Sequence, residues 1–243
     1  MKIVAIGGGE IGTTNEKPYN LKEIDKEIVK MTGKAHPVLL FLGFNERANY
    51  FFGTLKKHYM ELGAQCTYLK FTEFSNQKTV ESKFKRANII YINGGNTMIY
   101  MREIKKYGLD KYIIEASKRD VVLAGISAGA ICYHKLGSSD SRTYKENINK
   151  FTKVNGIGIV EALFSPHYSN SKRPLDIQRM TKNLKMVSIC ADDCTALVID
   201  GEDYKVLKSK TDAKIQKCYT KDNKFICYEL KGSGKYLDLI SKI

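Results

Sequence analysis

The chain reads as an α/β protein built on a mostly parallel sheet, covered by helices on both faces. Two observations predict this. Short, nearly continuous apolar runs alternate with helix-period segments through the first half. Those runs have no polar face, as expected of strands buried on both sides. The 243 residues are ample for one such domain, and no linker divides residues 1–243.

The elements follow in order. Lys2 to Ile6 is a strand, Leu21 to Met31 a helix stopped by Gly33, and Val38 to Leu42 a strand. Asn49 to Leu62 is helical, Cys66 to Leu69 extended, and Val80 to Arg86 a short helix. Asn88 to Ile92 is a buried strand that ends in Gly94-Gly95-Asn96-Thr97. Helices over Met98–Lys105 and Leu109–Lys118 come next, then a strand into Gly125-Ile126-Ser127-Ala128-Gly129. Gly137 to Ser141 reads as a polar loop. A helix over Ile177–Leu184 and strands over Val187–Cys190 and Ala196–Ile199 precede a C-terminal β extension of short segments, and the tail is polar.

Composition narrows the function classes. The hydrophobic fraction is 43% and the charged fraction 27%, as in soluble globular chains. The net charge of +14 comes mostly from lysines spread along the chain. No arginine stripe, zinc-finger spacing or RNP motif accompanies it, so no nucleic-acid partner is expected. The N-terminal apolar run is too short for a signal peptide and no stretch suits a membrane span, so the reading is cytoplasmic with no membrane partner. In that setting the six cysteines are expected as free thiols. Gly7 to Gly12 formally matches G-x-G-x-x-G, but a loop follows where a dinucleotide site needs a helix. Those glycines are expected to line a cleft at the end of the first strand. No cofactor and no metal are expected.

The chemistry points to Ser127. G-x-S-x-G between a strand and a helix sets a serine on a sharp turn, beside the free N–H groups of a helix start. That is a nucleophile's position. The residue after it, Ala128, supplies one oxyanion donor. The Gly94-Gly95 turn lies on the same sheet edge and supplies the second, assigned to Gly95 with Gly94 as the alternative. Of the four histidines at 36, 58, 134 and 167, His167 is the best general base. His58 looks solvated, and His134 points away. The acid that orients the imidazole is Asp140, in the order Ser, Asp, His, or Asp193, in the order Ser, His, Asp; geometry and not chain order makes a triad.

Four stretches carry a resemblance: Gly94 to Thr97, Gly125 to Ala130, Ser165-Pro166-His167-Tyr168, and Ala191 to Leu197. They resemble the signatures of the S51 serine peptidases, which include aspartyl dipeptidase and cyanophycinase. The resemblance implies a flavodoxin-like sheet related to class I glutamine amidotransferases. It implies Ser127 as nucleophile, His167 as base, and Asp193 where the family carries a glutamate, with Asp192 adjacent. The shorter aspartate must then sit closer to the histidine. The implied activity is hydrolysis of short peptides through an acyl-enzyme. An esterase or amidase with the same triad, and a silent binding relative, are the alternatives. Gly94, Asn96, Asp140 and Arg173 are expected at the substrate, with Glu10 or Asp140 for its amine and Arg173 or Arg179 for a carboxylate. A homodimer is left open.

Overall fold

A computed structural model describes residues 1–12, 19–44, 48–142 and 151–242. Strands β1 (Lys2–Ile6), β2 (Val38–Leu42), β3 (Gln65–Leu69), β4 (Ile89–Ile92) and β5 (Val122–Ile126) alternate with helices α1 (Lys22–Lys30), α2 (Ala48–Glu61), α3 (Gln77–Arg86), α4 (Thr97–Lys106) and α5 (Leu109–Ser117). Helix α6 (Ala128–Tyr133) follows β5 directly. Then come β6 (His134–Ser139), β7 (Thr152–Asn155), β8 (Val160–Ser165), α7 (Arg173–Thr181), β9 (Ser188–Ala191) and β10 (Thr195–Asp200). Strands β11 (Asp203–Lys208), β12 (Ile215–Lys221), β13 (Lys224–Glu229) and β14 (Ser233–Lys235) lead to α8 (Tyr236–Ile240).

The strands form two sheets. The eight-stranded one runs β14-β11-β10-β1-β5-β4-β2-β3. Its β1-β5-β4-β2-β3 part is parallel, as expected, and β10, β11 and β14 add antiparallel to one edge. The apolar runs are continuous because successive side chains serve opposite faces. Ile3, Leu40, Ile90 and Leu123 pack in the layer that holds α4 and α5 residues. Val4, Leu39, Phe41, Tyr91 and Ala124 pack in the layer that holds α1 and α2 residues.

The second sheet, six strands in the order β13-β12-β9-β8-β6-β7, corrects the expectation of a single sheet. Its start, β6, lies where a polar loop was read. Its sequence, HKLGSS, has no apolar alternation to betray a strand. Tertiary packing holds it: a Cβ on Gly137 would lie 2.1 Å from Ile131 Cγ2, and Ser138 and Ser139 are buried. Phe164, Ile189 and Ile215 of this sheet share one hydrophobic cluster with the larger sheet. The cysteine expectation also changes. Register sets Cys218 of β12 opposite Cys227 of β13, and the structure joins them in a disulfide. Cys66, Cys132, Cys190 and Cys194 are free. The polar tail forms α8, anchored by buried Leu239.

One carboxyl is sealed beneath α1. Asp25 is fully buried and accepts hydrogen bonds from the hydroxyls of Tyr59, at 2.8 Å, and Tyr19. Burial pushes its carboxyl up from 3.8 to about 7, against the pull of the Tyr59 bond. The folded state therefore holds a proton that the unfolded chain releases above pH 3.8. That stability is present in acid and is lost as pH rises through about 7. Asp25→Asn should flatten the dependence of the urea midpoint on pH over this window. A wild-type slope retained in the variant would place the titration elsewhere.

Candidate active site

Three segments meet where β1 and β5 end. Ser127 N–H donates to Ile6 O at 2.9 Å, fixing the end of β5 to β1. The serine backbone sits at φ 54°, ψ −114°, a conformation that side chains disfavour. Close packing requires both elbow glycines. A Cβ on Gly129 would fall 1.9 Å from Ile92 O, and one on Gly125 would fall 2.5 Å from the Gly129 carbonyl carbon.

The Gly7-Gly8 strip docks the other two segments. His167, just past β8, donates its backbone N–H to Gly7 O at 3.0 Å. Cys194, between β9 and β10, donates to Gly8 O at 2.9 Å, and Gly7 N–H donates to Thr195 O at 2.9 Å. The side chains then line up. Ser127 Oγ lies 2.8 Å from His167 Nε2, and His167 Nδ1 lies 2.5 Å from Asp193 Oδ1. With the proton on Nδ1, the imidazole donates to the carboxylate and accepts from the serine hydroxyl. A Cβ on Gly8 would come within 1.9 Å of Asp193 Oδ1 and 2.5 Å of the imidazole, so the glycine leaves room for this pair. Among the described residues, five that are not glycine have positive φ. Ser127, His167 and Cys194 are three of them, so strain gathers at these loops.

The competing acids lie apart. Asp192 Oδ2 accepts from Lys214 N–H at 3.0 Å, and burial pushes its carboxyl up. Asp140 acts electrostatically on the Arg173 guanidinium, holding its charge against the effect of burial. Among the other histidines, His134 is fully buried, bonded to Ala130 O through Nδ1 at 2.8 Å, and pulled down to about 4 by that burial. His58 was read as solvated; its ring stacks on Tyr19 at 3.6 Å, and burial lowers its pKa.

The Gly94-Gly95 turn lies against Ser127: a Cβ on Gly94 would sit 3.6 Å from Ser127 Cβ. The Tyr100 hydroxyl donates to Gly94 O at 2.8 Å. In a trans peptide this sends the Gly95 N–H the opposite way. The Gly95 Cα is so close to the phenol that a Cβ would fall 2.1 Å from its oxygen. Ala128 opens α6, whose first backbone bond runs from Ile131 N–H to Ser127 O, so the Ala128 N–H has no intrahelical acceptor.

Two expected substrate contacts are corrected. Asn96 spends both ends of its amide internally: Oδ1 accepts from Ile99 N–H as the α4 cap, and Nδ2 donates to Ser141 O, each at 3.1 Å. Arg173 is only 2% exposed. Its Nη1 donates to Ser138 O at 3.0 Å, and its guanidinium lies 4.0 Å over the Phe151 ring. Neither residue lines the cavity at Ser127. Arg179 pairs with Asp176 at 2.6 Å on the outside of α7. Two further charges of the polar loops near the cleft, Lys17 and Glu146, lie outside the described residues.

A cavity of about 380 Å³ opens beside Ser127 and His167. Gly9, Glu10, Asn93, Gly94 and Gly95 rim it. Phe51 lines it above Phe41, Leu55 and Tyr91, which belong to the packed core beneath. Nothing in a helix or strand period separates a cavity wall from a packed interior.

The chain's relatives fit this picture. The model of "Peptidase family S51" matches residues 3–207. A protein of Bacillus subtilis (strain 168) named "Uncharacterized peptidase YgaJ" is 30% identical over 221 residues, covering 88% of this chain and 90% of its own. Among solved structures, a peptidase from an acI-B1 Actinobacterium superposes with a TM-score of 0.73 at 21% identity, over 96% of both chains. A putative peptidase E protein from Listeria monocytogenes EGD-e gives 0.62 at 18% identity, over 85% of this chain and 98% of that one. The two structures share the fold. The family match spans β1 to β11 and takes in the elbow, the histidine loop and the acidic corner, and on that ground the chain belongs to peptidase family S51.

Proposed function

We propose that this protein is a serine peptidase that hydrolyses short peptides through an acyl-enzyme. The unbroken line from Ser127 Oγ through the His167 imidazole to Asp193 Oδ1 carries this reading. Ser127 Oγ attacks the scissile carbonyl carbon while His167 Nε2 takes the hydroxyl proton. The oxyanion is held by the Ala128 and Gly95 N–H groups. His167 then gives its proton to the departing amine, the C–N bond breaks, and an ester to Ser127 remains. A water, deprotonated by His167, attacks that ester. The acid product leaves, and the proton returns to Ser127. Asp193 keeps the Nδ1 tautomer and stabilises the imidazolium.

Glu10 at the cavity rim supplies a carboxylate for a free amino terminus. Acetylating that terminus removes its positive charge and with it the attraction to the carboxylate, a loss of about 2–5 kcal/mol in a site closed to water. Free di- to tetrapeptides should accordingly exceed their N-acetylated forms in kcat/KM by at least ~30-fold. The compartment proposed is the cytoplasm.

A fluorophosphonate probe tests the chemistry. It should label the wild-type protein at Ser127, and the labelled protein should no longer cleave peptides. Ester hydrolysis with no turnover of any peptide would favour an esterase. Absence of labelling and of hydrolysis would leave a silent binding relative.

A further inference from the structure

The cavity beside Ser127 has a composition that selects substrates. Ile11, Phe51 and Ile126 give it an apolar wall over the buried Phe41, Leu55 and Tyr91, and none of its described lining residues is Lys or Arg. A carboxylate side chain entering it would lose hydration, meet no cation among the described lining residues and face Glu10. An apolar side chain would gain from the same desolvation. The volume of about 380 Å³ lies at the small end of ligand pockets, which suits one large side chain rather than a long peptide.

Position decides which side chain enters. His167 and Asp193 sit on the β1 and β10 side of Ser127, docked on Gly7 and Gly8. The departing amine must lie on that side, because His167 Nε2 protonates it. Phe41 of β2, Tyr91 of β4, and Phe51 and Leu55 of α2 lie on the other side of β5. The acyl part of the substrate is left to face them.

We infer that this cavity receives the side chain of the residue whose carbonyl is attacked, and that it selects phenylalanine, leucine or methionine over aspartate there. The inference rests on the serine-peptidase reading above. The test is kcat/KM for unblocked Phe-Ala, Leu-Ala, Met-Ala, Ala-Ala, Asp-Ala and Ala-Phe, alongside fluorophosphonate labelling. Burying a large apolar side chain predicts Phe-Ala and Leu-Ala about 10- to 100-fold above Ala-Ala, with Asp-Ala no better than Ala-Ala. Phe51 is only partly buried on α2, so Phe51→Ala should fold. It should narrow the Phe-Ala advantage over Ala-Ala by at least ~5-fold. A flat profile or a preference for Asp-Ala, with Ser127 labelled and peptides cleaved, overturns the cavity assignment and leaves the serine peptidase standing. A preference seen only in Ala-Phe moves the cavity to the leaving side and overturns the assignment too. No labelling and no cleavage removes the underlying reading, and the assignment with it.

Discussion

Ser127→Ala should abolish peptide hydrolysis, with turnover down by about 10⁶, and should abolish fluorophosphonate labelling, while the melting temperature stays close to wild type. Removing a triad nucleophile has an effect of that order in a well-built site. The fold should survive because the serine hydroxyl touches only His167 Nε2 among the hydrogen bonds of the described residues. The backbone bonds that hold the elbow, Ser127 N–H to Ile6 O and Ile131 N–H to Ser127 O, need no side chain. Activity above a few per cent of wild type would assign the nucleophile elsewhere.

Asp193→Asn should lower turnover by roughly 10⁴ in a protein that still folds. The amide can present its N–H₂ to His167 Nδ1, which then accepts. The proton moves to Nε2, where it faces Ser127 instead of receiving its hydroxyl proton. Asp193 is about half exposed, so the neutral amide leaves no buried charge unpaired. Asp140→Asn is the control, since among the described residues the hydrogen bond to His167 Nδ1 comes from Asp193. Loss of turnover in that variant alone would transfer the orienting role to the other acid.

Much of the fold was legible because β1 to β5 are buried on both faces, and such strands announce themselves as unbroken apolar runs. The elbow at Ser127 was legible because its backbone geometry demands small neighbours, and the sequence shows those neighbours as Gly125 and Gly129. The histidine followed by elimination among four. The choice among Asp140, Asp192 and Asp193 was not legible from the residues alone. It depends on where β1 places Gly8, and Gly8 reads as a loop glycine until the carboxylate is seen 1.9 Å from where its Cβ would be. The second sheet was hidden for a related reason. Strand β6 is polar and held by contacts with the preceding α6 and with Arg173, which its own residue pattern does not reveal. Asn96 and Arg173 show the converse error. Polar residues near a site in sequence were read as ligand contacts, whereas one caps a helix and the other is sealed under Phe151.

The backbone at Ser127 sets durability against activity. At φ 54°, ψ −114° a side chain is held where only glycine rests easily, and such strain is worth of the order of 1–3 kcal/mol. Ser127→Gly would release it while deleting the nucleophile. A lineage released from selection for catalysis therefore has an energetically downhill route to a sturdier, inert descendant through this one codon.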